Sequence, residues 1–160
     1  MRKFLGVLVG VVAALSATVT PAAADDNYYD DDNLWSMEAC ELPGRSAFKF
    51  SIFYNSGQNG AWRNIGYRVY NFDVLRPGGS DPSTYRLRFC HEGASNPWPG
   101  SSQPIKNNAA SGENHHPRYT ARVYYNSGYK GAQDVMDPYQ HIARFRNVYN
   151  QNASFQWTNS

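Results

Sequence analysis

One ten-residue string occurs twice in this chain. Ile52-Phe53-Tyr54-Asn55-Ser56-Gly57-Gln58-Asn59-Gly60-Ala61 aligns without gaps to Val123-Tyr124-Tyr125-Asn126-Ser127-Gly128-Tyr129-Lys130-Gly131-Ala132, with six of ten positions identical and two more conservative. No other feature constrains the fold as strongly, because similar strings build similar local structure. Each copy reads as a strand ending in aromatics, a tight Asn-Ser-Gly hairpin turn, and a Gly that re-aims the chain. Two such units can each contribute a sheet and bury their aromatic faces together.

The flanking sequence supports β structure. Phe48, Phe50, Ile52 and Tyr54 alternate with Lys49, Ser51 and Phe53, a nearly period-two run. Tyr67 to Phe72 and Tyr85 to Cys90 read as further strands, separated by the loop Arg76-Pro77-Gly78-Gly79-Ser80-Asp81-Pro82. No long stretch has a helical period, and Asp137 to Phe145 holds at most a turn or two. Residues 92–117 are crowded with Pro, Gly, Ser and Asn around Trp98, and read as a long surface loop.

The first 24 residues read as a signal peptide. Arg2 and Lys3 precede an uncharged apolar stretch, and Ala22-Ala23-Ala24 offers the small-residue cleavage spacing. That stretch is short for a bilayer and broken by Gly, Ser and Thr. An exported, extracellular protein beginning at Asp25 is expected. Without Arg2 and Lys3 the mature chain balances 13 basic against 13 acidic residues. The balance is uneven. Residues 25–41 hold Asp25, Asp26, Asp30, Asp31, Asp32, Glu38 and Glu41 with no Lys or Arg, whereas 42–160 carry 13 basic and 6 acidic residues. An acidic arm precedes a basic body.

The arm, residues 25–39, sets Tyr28, Tyr29, Leu34, Trp35 and Met37 among Asp25, Asp26, Asp30, Asp31 and Asp32. A purely solvating tail carries few aromatics, so this mixture suits docking into a partner's cleft. Fifteen extended residues reach roughly 50 Å. The alternative is that Leu34 and Trp35 fold back on the chain's own basic surface. The two cysteines, Cys40 and Cys90, form an even pair, and in an exported protein one disulfide is expected.

No catalytic constellation assembles. No G-x-S-x-G, H-E-x-x-H or P-loop string is present. Ser56 and Ser127 lie in the repeated turns, where a hydroxyl ordinarily caps backbone. His115-His116 lacks an identifiable third ligand, and His91 and His141 stand alone, so neither a metal nor any cofactor is expected. Asp134 and Asp137 fit turn and capping roles better than a carboxylate pair. Arg63, Arg68, Arg86, Arg88, Arg122, Arg144 and Arg146 alternate with aromatics, a pattern able to stack bases. Export argues against nucleic acid, and arginines on outer sheet faces are the simpler reading. Neither nucleic acid nor membrane is expected as a partner.

Tyr124-Tyr125-Asn126 with Gly131, followed by Asn152-Ala153-Ser154 and Trp157, resembles the βγ-crystallin Greek-key motif of small secreted actinobacterial proteins. The resemblance covers about residues 121–158 well and 50–75 more loosely. It implies an all-β, crystallin-like Greek-key β-sandwich of two related motifs over 40–160, with one disulfide and an extended N-terminal arm. The family's calcium string is broken here by Gln151 and Phe155 in Asn150-Gln151-Asn152-Ala153-Ser154-Phe155, so no calcium site is assigned.

Three functions follow in order of preference. In layout the chain is similar to the small adaptor subunit of umbrella toxin particles, which implies a non-enzymatic module. Its arm would dock through Tyr28, Tyr29, Asp30, Asp31, Asp32, Leu34 and Trp35 into another secreted protein, such as a lectin-bearing or toxin subunit. The crystallin resemblance also implies a peptidase inhibitor whose partner is a protease, with Gly93 to Pro117 as the presented loop. A cell-wall or glycan-acting enzyme comes last, because it needs a carboxylate pair that the sequence does not offer.

Overall fold

The computed structural model describes residues 30–160. The expected signal peptide and the arm's first residues, including Tyr28 and Tyr29, lie outside that range. Among the described residues no helix is long and apolar enough to cross a membrane.

Two antiparallel sheets form the body. The first copy of the repeat builds β1, Phe50–Asn55, and β2, Asn59–Ile65. β3, Ser111–Asn114, follows the long connection. The second copy builds β4, Tyr119–Asn126, and β5, Lys130–Met136. The chain then adds the two-residue β6, His141–Ile142, and ends in β7, Ser154–Asn159. One sheet has the order β2-β1-β3-β6 and the other β5-β4-β7.

The two copies exchange their third segments. β6 lies in sequence between β5 and β7, yet it pairs with β3 of the first sheet. Reciprocally, Val69 lies between β2 and β3 and bridges to Phe155 in β7 of the second sheet. This exchange makes the body one interlocked Greek-key sandwich of two related motifs. Between the sheets Phe50 and Phe155 stack with centroids 4.3 Å apart, and both side chains are fully buried. Ile52, Val123, Leu75, Leu87 and Phe145 complete the core around them.

The repeated turns are latched in the same way. Each hairpin carries a register shift, between Phe53 and Asn55 in one and between Tyr124 and Asn126 in the other. Gly57 and Gly128 both sit at φ 74°, where a side chain would strain the backbone. The capping hydroxyls are not those of Ser56 and Ser127, as expected above, but come from the first residues of β3 and β7. Ser111 Oγ donates to Asn55 O at 2.6 Å and accepts from Gln58 N at 3.1 Å. Ser154 Oγ donates to Asn126 O at 2.7 Å and accepts from Tyr129 N at 3.1 Å. The exchanged segments close each turn from the other side, Gly57 N donating to Ala143 O and Gly128 N to Tyr70 O. Both serines are fully buried, and alanine at either removes two hydrogen bonds, one from a backbone N–H and one to a carbonyl. Ser111→Ala and Ser154→Ala are each expected to cost about 1–3 kcal/mol, read as a lower urea midpoint at unchanged slope.

The long surface loop assigned to 92–117 needs correction, since part of its second half is interior. Ile105, Ala109, Ala110 and Ser111 are buried, and Ser111–Asn114 is the central strand β3. Gly112 shows why the segment looks so polar in sequence. A Cβ there would lie 3.2 Å from the Phe50 ring and 3.0 Å from that of Phe145, so the core admits only small residues. Asn114 and Asn152 are likewise structural, donating to Met136 O and to Ala109 O. The stretches 67–72 and 85–90 supply isolated bridges and buried side chains instead of regular strands.

Candidate functional site

The arm from Asp30 onward is folded against the body. Three aspartates open α1, Asp30–Trp35, at the end of a helix where negative charge is favourable. Ser36 then accepts from Glu38 N and caps a short 3-10 turn, Met37–Cys40. Leu34 folds back onto the chain's own core, whereas Trp35 stays more than half exposed.

Asn33 pins the helix. It is fully buried, its Oδ1 accepts from Gly66 N at 3.0 Å and Tyr67 N at 3.2 Å, and its Nδ2 donates to Tyr67 O at 3.1 Å. One side-chain amide thus continues the hydrogen bonding of the chain just past β2. Arg63, from β2, meets the other end of α1. Its guanidinium donates to Asn33 O and, at 2.8 Å, to Leu34 O, where the helix presents unpaired carbonyls. The third contact of that group is Arg88 O at 3.0 Å. Arg63 is therefore not on an outer sheet face, as expected above, but 8% exposed beneath the helix. Burial pushes its guanidinium down to about 10.

The rest of the arm is clipped to β2. Asn64 Nδ2 donates to Glu38 O and Glu41 O, Trp62 Nε1 donates to Glu41 O, and the Cys40–Cys90 disulfide closes the join. The expected cysteine pairing is therefore present, and no cysteine is free.

The expected docking residues have different fates. Asp30 is buried and accepts from Arg76 N at 2.8 Å. Leu34 packs on the core, and Asp31 and Asp32 face solvent. Trp35 is 59% exposed, its ring edge-on to Tyr85 at 5.2 Å. Met37, at 91%, and Leu42, at 47%, extend this apolar exposure along the same short segment. Met37 belongs to the arm's apolar set but not to the expected docking residues, and neither anchor, Asn33 or Arg63, was expected in that role. A methionine among acids was a usable signal, whereas nothing local distinguishes Asn33 from a solvated amide.

An open groove of about 540 Å³ runs beside α1. Leu34, Trp35 and Tyr85 give it an apolar wall, and Arg63, Arg86 and Arg88 give it charge. The remaining candidates are structural. His116 Nδ1 accepts from Arg118 N and Tyr119 N, capping the turn into β4, and His115 pairs with Glu113 at 3.0 Å. Asp134 Oδ2 receives the backbone N–H groups of Arg146, Asn147 and Val148. Among the described residues no three His, Cys, Asp or Glu side chains are grouped to hold a metal ion.

The exchanged segments and paired serine latches define a crystallin-like double Greek key. A solved structure from work on the evolution of the eye lens βγ-crystallin domain fold is similar over 71% of this chain and 87% of its own, at 10% identity and a TM-score of 0.47. The N-terminal domain of protein S is similar over 69% of this chain and 96% of its own, at 16% identity and a TM-score of 0.43. No family model matches the chain, and no curated protein matches it in sequence.

Proposed function

We propose that this chain is an exported, non-enzymatic protein-binding module that joins another secreted protein through its N-terminal arm, in the manner of an assembly adaptor. The observation that supports this most is the exposure of Trp35 and Met37 on a segment that is itself pinned. A loose tail would expose such side chains only transiently. Here Asn33 and the disulfide hold the backbone, so the two side chains stay in water until a partner covers them. Asp31 and Asp32 flank them and would steer the approach to a basic cleft, with Tyr28 and Tyr29 extending the contact. The disulfide fits the oxidising compartment that the leader sequence implies.

Removing all of residues 25–39 is a poor test, because it also removes Asn33 and exposes the surface beneath α1. Deleting 25–29 alone, or combining that deletion with Met37→Ser, leaves the pinned helix in place. The tagged mature protein is expected to pull a defined partner from culture medium, and the combined variant is expected to lose it. Undiminished capture by a folded combined variant would overturn the docking role of the arm.

A second reading, a peptidase inhibitor, draws support from residues 92–101. Residues 94–99 are exposed, yet Asn96 N donates to Gly93 O, Trp98 N to Glu92 O and Ser101 N to Trp98 O. Trp98 also packs on Trp62 at 5.6 Å, beside the Cys40–Cys90 disulfide. A protruding loop braced in this way is preorganised to be bound. Stoichiometric inhibition of a secreted protease, lost in Trp98→Ala, would favour it over the adaptor.

A further inference from the structure

The groove beside α1 combines two features that a structural crevice does not need together. Its wall is aromatic, with Trp35 set edge-on to Tyr85. Its floor carries Arg63, which is 8% exposed and, among the described residues, bonds only to the neutral carbonyls of Asn33, Leu34 and Arg88. Among the described residues no carboxylate makes an ion pair with it, and its Nε is buried without an acceptor. A buried charge without a counter-charge is costly, and burial already depresses its basicity. Arg88, exposed at the rim, donates to Ser102 O and has no acidic partner among the described residues. Arg86 differs, because Asp73 lies 3.5 Å from its Nε and is shared with Lys106. Positive potential therefore concentrates at the Arg63 and Arg88 end, next to the aromatic wall.

We infer that this groove receives an acidic segment of the partner protein, a carboxylate settling at Arg63 and Arg88 while a neighbouring apolar side chain packs on Trp35 and Tyr85. Arginine forks match carboxylate geometry, and a space of about 540 Å³ takes several side chains where a bare ion would need far less. The pairing with the arm is reciprocal in charge: the chain offers acid on α1 and receives acid beside it. The inference rests on the protein-binding reading, but it is testable without the partner.

The probe is a synthetic peptide, Gly-Asp-Phe-Asp-Gly with blocked ends, titrated into the mature protein while indole resonances and tryptophan fluorescence are followed. The acidic peptide is expected to shift the Trp35 indole signal, and the Asn-for-Asp version to bind at least about tenfold more weakly. Arg88→Gln replaces an exposed side chain, so its thermal midpoint should hold while affinity falls about tenfold. Four binding results would overturn the inference. These are no binding, equal binding of the neutral peptide, no effect of Arg88→Gln, or inorganic phosphate binding as tightly as the peptide, which would mark a plain anion site. Concentration-dependent self-association in sedimentation, abolished by deleting 25–29, would assign the groove to a second copy's arm and would also overturn it. Met37 does not line the groove, so its variant separates the two proposals. Peptide binding that survives lost capture supports both, whereas failed peptide binding with intact dependence on Met37 removes the groove alone.

Discussion

Asn33→Ala is expected to lower the thermal midpoint by about 10 °C, a large effect for one exchange in a short N-terminal helix. The side chain is fully buried and makes three hydrogen bonds, to Gly66 N, Tyr67 N and Tyr67 O. Alanine removes all three bonds to these partly buried backbone groups, and each such loss costs about 1–3 kcal/mol. Partial entry of water reduces the total, so about 3 kcal/mol is a reasonable expectation, and that converts to roughly 10 °C for a domain of this size. The loss should also be local. With the amide gone, α1 keeps Arg63, Leu34 on the core and the Asp30 bond to Arg76 N, and cleavage within 30–36 by a non-specific protease should quicken before global unfolding. A midpoint within 2 °C of the wild type, with unchanged cleavage, would show that Asn33 does not pin the arm.

Removing the Cys40–Cys90 disulfide is expected to have the largest effect on stability. The two residues are 50 apart in sequence, and closing such a loop restricts the unfolded chain by about 4 kcal/mol on the entropic account. The double variant Cys40→Ser, Cys90→Ser should therefore unfold at a clearly lower urea concentration. It should still fold, because the sandwich core around Phe50 and Phe155 does not involve either cysteine. The arm junction should suffer most, since the bridge joins the 3-10 turn to the residue whose N–H donates to Trp62 O. Faster hydrogen exchange at residues 37–42 than in β4 would be its signature. Uniform acceleration across both sheets would contradict the local assignment.

Much of the body is legible in the sequence. The repeated string announces paired hairpins because the turn needs Gly at positive φ in both copies, and Gly57 and Gly128 supply it. The aromatic run Phe48 to Tyr54 marks a strand because its residues line an interior. The serine latches are hidden, because Ser111 and Ser154 stand far from the turns they close and only the fold brings them there. The interior part of 92–117 is hidden for a related reason. Core positions facing Phe50 and Phe145 take Gly and Ala, and small residues look like a loop when hydropathy is the only guide. Arg63 misleads in the opposite direction, since a charged residue between Trp62 and Asn64 reads as an outward face. Its burial depends on the carbonyls at the end of α1, a partner roughly thirty residues earlier in the chain.

The arm was legible as a site of interest and illegible as a structure. Its acids and aromatics separate it from the body by charge, yet the polar residue Asn33 decides that its residues from Asp30 onward lie against the chain just past β2. That placement turns Trp35 and Met37 into fixed surface features, and it moves the expected contact toward the exposed side of α1 and the turn that follows.

Hydroxyl-radical footprinting of the mature protein, alone and bound to the partner it captures from culture medium, tests this account most directly. Met37 and Trp35 should be oxidised readily in the free protein and protected in the complex, while Tyr139, 71% exposed on the body, should react equally in both. Protection of Trp98 or Tyr139 with Met37 and Trp35 left fully reactive would place the interface on the body and contradict the arm's role.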